Sequence, residues 1–366
     1  MKILILSNND LGLYKFRFEL LEVLVKRCKV FVCTPDGEFT QKFTEIGCKY
    51  IPCDMLDRRS TNPVKDLKLL SFYKAIIKKI KPNVVLTYTI KPNVYGGLAC
   101  SKAHVPVIAN VTGLGTTIEN GGLLSKISMS LYKAGLKNAA CVFFQNRNNR
   151  DTFVDAKVVK GKTRVIPGSG VNLQTHNFES YPSDDNGVRF LFVGRIMKDK
   201  GIEELLEAIR KLHNANKKIV LDIVGDSDED YSTLLKQAED EGAIILHGVQ
   251  SDVHPFYKAC HCTVLPSYHE GTPNVILEAS STGRPVITTN VPGCRETFDE
   301  GITGFGCEAK SAESLFAAMK KFLELPQEKR AEMGINARKK MEKEYDRNIV
   351  IKAYMEEIRE AIKENV

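Results

Sequence analysis

At 366 residues, with 43% hydrophobic and 27% charged residues, the chain has the composition of a soluble globular protein and is long enough for two domains. No run approaches the roughly 20 apolar residues that cross a bilayer, and the opening MKILILSNND lacks the small-residue cleavage site of a secretory signal, so it reads as the first strand of a cytoplasmic protein. The net charge of +7 divides unevenly: residues 1–175 hold 27 Lys and Arg against 12 Asp and Glu, the remainder 25 against 33, which suits the first half to an anionic partner such as a phospholipid surface, a lipid-linked phosphate or nucleic acid.

Short β-branched runs recur along the chain with helical segments between them. Strands are predicted at Lys2–Ser7, Val30–Thr34, Val84–Thr89, Val107–Val111, Cys141–Gln145 and Thr163–Pro167. A second series follows at Phe190–Gly194, Ile219–Gly225, Ile244–Gly248, Cys262–Pro266 and Pro285–Thr289. Runs apolar on both faces that alternate with helices indicate α/β parallel sheets. Between the series, Gly168–Gly187 is rich in Gly, Ser, Asn and Asp without periodicity, and reads as a linker. Two doubly wound, Rossmann-like domains follow, residues 1–172 and 173–345, facing a central cleft in which a ligand would lie beyond the carboxyl ends of the strands.

Three helices have features of their own. In Val64–Lys81, the residues Val64, Leu67, Leu70, Tyr73, Ile77 and Ile80 form an apolar stripe amid six lysines, and Leu123–Lys137 adds Lys126, Lys133 and Lys137. Both stripes are expected to pack on a sheet, with the lysines free to lie along an anionic lipid surface. Asp346–Glu364 is a third amphipathic helix, able to pack on either domain. The ten cysteines include no CxxC pair, and Cys260-His261-Cys262 brings only two thiols to one strand face, so buried reduced thiols are expected rather than a metal centre.

Chemistry concentrates in the second half. The strand ending at Gly194 leads through Arg195 and Lys200 to Gly201 and a helix at Ile202–Leu212, which places two cations at a strand end and a helix start, where a diphosphate would sit. The strand ending at Pro266 leads to Glu270, Gly271, Thr272, Pro273 and Asn274, then to a helix at Val275–Thr282 that carries Glu278 one turn in. Gly271 would permit a tight backbone approach and Pro273 suits a first helical turn, while carboxylates such as Glu270 and Glu278 suit hydroxyl groups.

This ordered set resembles glycosyltransferase family 4, the retaining enzymes of GT-B fold. The resemblance rests on GRxxxxKG at Gly194–Gly201, on the two glutamates of EGTPNVILE at Glu270–Glu278, and on Gly225-Asp226, Gly248, Gly283-Arg284-Pro285-Val286 and Gly293 before Glu296. It implies that Arg195 and Lys200 grip the donor diphosphate and neutralise the leaving group, and that Glu270 holds donor-sugar hydroxyls beside Gly271, Thr272, Asn274 and Val275. Glu278 would bind the nucleotide ribose. It also implies that the last helix crosses back to the first domain, that no metal or other cofactor is needed, and that Asp226-Ser227-Asp228 is not a metal motif.

In the first half the chain reads Thr87-Tyr88-Thr89-Ile90-Lys91 where the family usually leads to a histidine near the reacting sugar. With NVTGLG at Asn110–Gly115 and SGVN at Ser169–Asn172, this is more similar to the branch acting on undecaprenyl-diphosphate-linked sugars. The partners implied are a UDP-sugar of N-acetylhexosamine or hexose type and a lipid-linked saccharide, reached at the inner face of the membrane, and no nucleic acid. Gly12 in the first strand-to-helix loop, Arg17 near the following helix start, Lys91 (otherwise a solvated loop lysine) and Gly113 would stand on the acceptor or phosphate side, with His104 structural. A sugar-nucleotide epimerase and a non-catalytic saccharide-binding protein are the alternatives. A dinucleotide oxidoreductase lacks its GxGxxG after the first strand.

Overall fold

The apolar runs become strands, and every pairing between them is parallel. The computed structural model describes residues 1–56, 62–114, 121–227 and 229–363. The chain divides into two units, Met1–Ser169 with Asn348–Val366, and Gly170–Arg347.

The first unit holds β1 (Lys2–Leu6), β2 (Lys29–Thr34), β3 (Lys49–Pro52), β4 (Val84–Tyr88), β5 (Val107–Val111), β6 (Cys141–Phe144) and β7 (Thr163–Val165) in the order β3-β2-β1-β4-β5-β6-β7. Alternate side chains serve opposite faces. Ile3 and Ile5 pack with α1 (Asp10–Val25) and α13 (Arg347–Lys363), whereas Leu4 and Leu6 pack with α3 (Pro63–Ile80) and α4 (Gly97–Ala103). Farther along, Ala109, Val142 and Phe144 pack with α5 (Gly122–Leu136) and α6 (Arg147–Asp155); a short helix α2 (Thr40–Glu45) precedes β3. The edge strand β3, KYIP, is absent from the sequence reading because it is short, ends in proline and is half-buried, without the continuous apolar run of an interior strand.

The last helix belongs to this unit. Val350, Ala353, Tyr354 and Ile358 join the core on the β1 side, and Arg164 pairs with Glu356 at 2.8 Å and Lys162 with Glu357 at 2.8 Å.

Both predicted lysine-bearing helices form, but their buried faces differ from expectation. On α3 the core residues are Leu69, Tyr73, Ile76, Ile77 and Ile80, while Val64 and Leu67 are 62% and 63% exposed. Steps of three residues each fall about 60° short of a full helical turn, so the series 64, 67, 70, 73 rotates by about half a turn and cannot share one face. On α5 the buried side is Tyr132, Gly135 and Leu136, while Leu123 and Leu124 are 74% and 65% exposed, with Ile127 and Leu131 beside them. The small residue Gly135 decides this orientation: a Cβ there would lie 2.6 Å from the Val94 backbone, so α5 rides directly on the turn before α4. The expectation of a stripe packed on the sheet along its whole length is overturned for Leu123, Leu124, Ile127 and Leu131 and holds for Leu136.

The second unit holds β8 (Val188–Val193), β9 (Ile219–Val224), β10 (Ile244–Leu246), β11 (Cys262–Leu265), β12 (Val286–Thr289) and β13 (Gly304–Cys307) in the order β10-β9-β8-β11-β12-β13. Its helices are α7 (Ile202–Ala215), α8 (Ser232–Asp240), α9 (His254–Ala259), α10 (Asn274–Ser281), α11 (Ala312–Leu323) and α12 (Gln327–Lys340). The sequence GFGC carries no β-branched signal for β13, yet Gly304 has to be small, since a Cβ would lie 2.1 Å from the Val286 carbonyl. In both sheets the strand order reverses once, between β1 and β4 and between β8 and β11. Loops at the carboxyl ends of such strands diverge and leave room for a ligand.

The stretch expected to be a linker is mostly a belt on the second unit. The guanidinium of Arg284, fully buried, donates to the carbonyls of Glu179 (3.1 Å), Ser180 (2.8 Å), Tyr257 (2.8 Å) and Lys258 (2.9 Å). Arg338 donates to the carbonyls of His176 and Ser281, each at 2.9 Å. The carbonyls of His176, Glu179 and Ser180 are thus satisfied by arginine rather than by water.

Candidate active site

The loops after β8 and β11 meet at the reversal of the second sheet. Gly194 follows β8 in an extended backbone that glycine alone adopts readily (φ 153°), and its N–H reaches the Val224 carbonyl at 2.9 Å. Next come exposed Arg195 and a single 3-10 turn at Lys198–Lys200, closed by Gly201 at φ 71°. A side chain on Gly201 would lie 2.3 Å from the Pro266 carbonyl, so this glycine is what lets the two loops touch. They are also tied by the Tyr268 N–H, which donates to the Asp199 carbonyl at 2.9 Å.

Across this contact the ammonium of Lys200 pairs with the Glu270 carboxylate, both largely shielded from solvent. Arg195 and Lys200 thus supply two cations to one strand end, and Glu270 is brought to the same place. Gly293 packs behind the Glu270 loop: its φ is 93°, and a Cβ would come within 2.4 Å of the Glu270 and Gly271 carbonyls. A tight backbone approach is thus made between Gly293 and the Glu270–Gly271 segment.

Helix α10 starts at Asn274, one residue earlier than expected, and Pro273 stands before it as the cap, in extended conformation (φ −74°, ψ 109°), instead of in the first turn. No side chain of the cap residue binds the first amides of α10, which leaves the positive end of the helix facing the Glu270 loop. Thr272 is buried in that loop and Val275 half-buried on the first turn of α10, packed against the unit's core. One turn in, Glu278 accepts a hydrogen bond from the Tyr257 hydroxyl at 3.0 Å, and His176 Nε2 stands 4.0 Å from its other oxygen. Tyr257 and His176 escape the sequence reading; one looks like a core aromatic on a short helix, the other like a linker residue.

Two of the residues weighed as metal ligands make contacts within the protein. His261 Nδ1 accepts from the Arg189 N–H at 3.0 Å and Nε2 faces the Ser183 carbonyl at 3.3 Å, so both ring nitrogens are used by backbone, and burial pushes its pKa down. Among the described residues no group of three or more His, Cys, Asp or Glu is arranged to hold a metal ion. Asp226 Oδ1 accepts from the Ser227 N–H at 2.8 Å, and Asp228 lies outside the described residues.

In the first unit Gly12 and Arg17 lie elsewhere than the sequence suggests. Gly12 is in the first turn of α1 rather than in the preceding loop; its N–H is capped by Asn9 Oδ1 at 2.7 Å, and a Cβ would strike that oxygen. Arg17 is two turns into α1 and only 4% exposed, its guanidinium donating to the Phe16 carbonyl at 2.7 Å and lying 5.3 Å and 5.7 Å from the rings of Tyr88 and Tyr354. It is a core cation, not a residue of the helix start. Lys91 pairs with Asp66 at 2.9 Å, and Asp66 also accepts from the Tyr95 hydroxyl at 2.7 Å. Gly113 is half-buried after β5, and Gly115 lies outside the described residues. His104 ends α4 in the left-handed conformation (φ 53°), a capping position.

Residues 174–340 match the family described as glycosyl transferases group 1, and residues 2–146 match glycosyl transferase 4-like. The chain is 29% identical, over 97% of both sequences, to the N,N'-diacetylbacillosaminyl-diphospho-undecaprenol alpha-1,3-N-acetylgalactosaminyltransferase of Campylobacter jejuni. It is 28% identical, over 71% of both, to the UDP-Gal:alpha-D-GlcNAc-diphosphoundecaprenol alpha-1,3-galactosyltransferase of Escherichia coli. Among solved structures, the Anabaena protein HepE in complex with UDP and glucose superposes with a TM-score of 0.79 at 19% identity, covering 98% of this chain and 100% of that one. Sucrose-phosphate synthase from Thermosynechococcus elongatus gives 0.80 at 19% identity over the whole of both chains.

Proposed function

The chain belongs to the glycosyltransferases of group 1 with a 4-like first domain, and on that premise we propose that it transfers an N-acetylhexosamine or hexose from UDP to a saccharide carried on a polyprenyl diphosphate. The observation that carries the reading is the Lys200–Glu270 pair at the reversal of the second sheet, its lysine on the same loop as Arg195. Arg195 and Lys200 bind the donor diphosphate and offset the negative charge that grows on it as the sugar–phosphate bond breaks. Glu270 holds hydroxyls of the transferred sugar, Glu278 the ribose hydroxyls, and the start of α10 faces the phosphates.

The acceptor hydroxyl forms the new glycosidic bond on the face the leaving group departs from, and its proton passes to the leaving phosphate oxygen. The anomeric configuration is retained, and neither a protein base nor a metal is required. Support for the acceptor comes from the names of the two relatives, both of which act on diphospho-undecaprenol sugars.

Work on such an acceptor calls for contact with the bilayer. No described helix is long and apolar enough to cross a membrane. The exposed Leu123, Leu124, Ile127 and Leu131 of α5, with Lys126 and Lys133 alongside, support peripheral contact with an anionic surface at its cytoplasmic face.

Purified protein incubated with UDP-N-acetylgalactosamine, UDP-galactose or UDP-glucose and a short-chain polyprenyl-diphosphate sugar should release UDP with one of them, in the presence of EDTA, and give an α-linked product by NMR. A β-linked product would overturn retention, loss of turnover in EDTA would overturn metal independence, and no turnover across GDP- and UDP-sugars with an acceptor panel would overturn the substrate reading.

A further inference from the structure

We infer that Tyr257 is a positioning residue for Glu278, fixing through its hydroxyl the orientation in which that carboxylate meets the nucleotide ribose. The inference rests on the ribose role given to Glu278 above.

Tyr257 is on α9 and fully buried, and its hydroxyl donates to Glu278 Oε2 at 3.0 Å. Burial, and then the neighbouring Glu278 charge, push the phenol pKa well above its ordinary value, so the hydroxyl keeps its proton and acts as a donor. The backbone of the same residue is fixed as well, because Arg284 Nε donates to the Tyr257 carbonyl at 2.8 Å and Nη2 to the Lys258 carbonyl at 2.9 Å. On the other side of the carboxylate, His176 Nε2 lies 4.0 Å from Oε1, its ring 6.1 Å from the Tyr257 ring.

A glutamate has three rotatable bonds, and holding it in one rotamer costs free energy that a fixed donor offsets before the ligand arrives. Charge-assisted hydrogen bonds of this kind are directional. A tyrosine whose ring and backbone are both immobilised therefore aims Glu278, beyond merely finding a partner for its own hydroxyl.

The test is a binding comparison with UDP and 2′,3′-dideoxy-UDP, by calorimetry, on wild type, Tyr257→Phe, Glu278→Gln and the double variant. Phenylalanine keeps the ring and its packing, and the melting temperature of Tyr257→Phe reports any loss of fold. The expected result is that Tyr257→Phe weakens UDP by about five- to tenfold, leaves 2′,3′-dideoxy-UDP within about twofold, and adds nothing in the Glu278→Gln background. Equal weakening of both nucleotides, additive losses in the double variant, or unchanged UDP binding in Tyr257→Phe while Glu278→Gln weakens it would each overturn the inference. If Glu278→Gln itself leaves UDP binding unchanged, the ribose reading of Glu278 fails first and takes the inference with it.

Discussion

Lys200 and Glu270, on loops that follow different strands of one sheet, form an ion pair where the strand order reverses. If the pair works as a unit on the donor, Lys200→Ala and Glu270→Gln should each lower kcat/KM by about 100-fold, and the double variant should lose much less than the product of the two. UDP release at several donor concentrations measures all three. Fully multiplicative losses would mean that the two side chains act independently.

The leucines of α5 are expected to meet lipid. Replacing Leu124 and Ile127 by aspartate should weaken sedimentation with phosphatidylglycerol vesicles by about tenfold while changing the melting temperature little, because both are exposed in the folded protein. Turnover of a detergent-dispersed acceptor should persist. Unaltered vesicle binding would place the contact elsewhere.

Arg284 holds two segments, through the carbonyls of Glu179 and Ser180 and those of Tyr257 and Lys258, from a buried position. Arg284→Met leaves those carbonyls without donors and should destabilise the protein by about 3–5 kcal/mol, read as a lower urea midpoint. Arg284→Lys should rescue little, since a point charge cannot replace a planar fork with five donors.

The pKa of His261 is depressed from 6.5, mainly by burial. A lowered folded-state value means that the unfolded chain takes up the proton first as pH falls. The contribution of His261 is therefore complete above about pH 6.5 and is lost as pH falls through its folded-state value. Urea unfolding between pH 7.5 and 5 should show this decline, and His261→Asn, which keeps an acceptor for the Arg189 N–H, should flatten it.

All ten cysteines are free thiols, and nine are buried, with Cys28 partly accessible. Burial raises Cys48, Cys100 and Cys294 to about 12. A disulfide reagent at pH 8 should modify at most Cys28 in the native protein and every thiol after denaturation. Rapid modification of several thiols under native conditions would contradict the packing.

Much of the site was legible because its parts are short and local. A glycine-ended strand followed by Arg195 and Lys200, and a loop carrying Glu270 before a helix, can be read from neighbouring residues alone. Where the reading failed, the deciding contacts were distant in sequence. Arg17 looked like a helix-start cation until the rings of Tyr88 and Tyr354 closed over it, and Lys91 looked free until Asp66 reached it from α3. Tyr257 carried no signal, since nothing in the sequence of α9 shows that Glu278 lies beside it.

The sequence by itself determined the alternation of strands and helices, the two sheets and the residues at the second strand reversal, because hydrophobic period and turn chemistry act within a few residues. Tertiary structure alone decided which helix faces meet solvent, where the small Gly135 let α5 settle with Leu123, Leu124 and Leu131 outward. It also decided that residues 176–180 are held to the rest of the second unit by Arg284 and Arg338, and that Lys200 meets Glu270. Those outcomes depend on which groups come within hydrogen-bonding or packing distance once the sheets have formed, and that distance is not a property of any local stretch of chain.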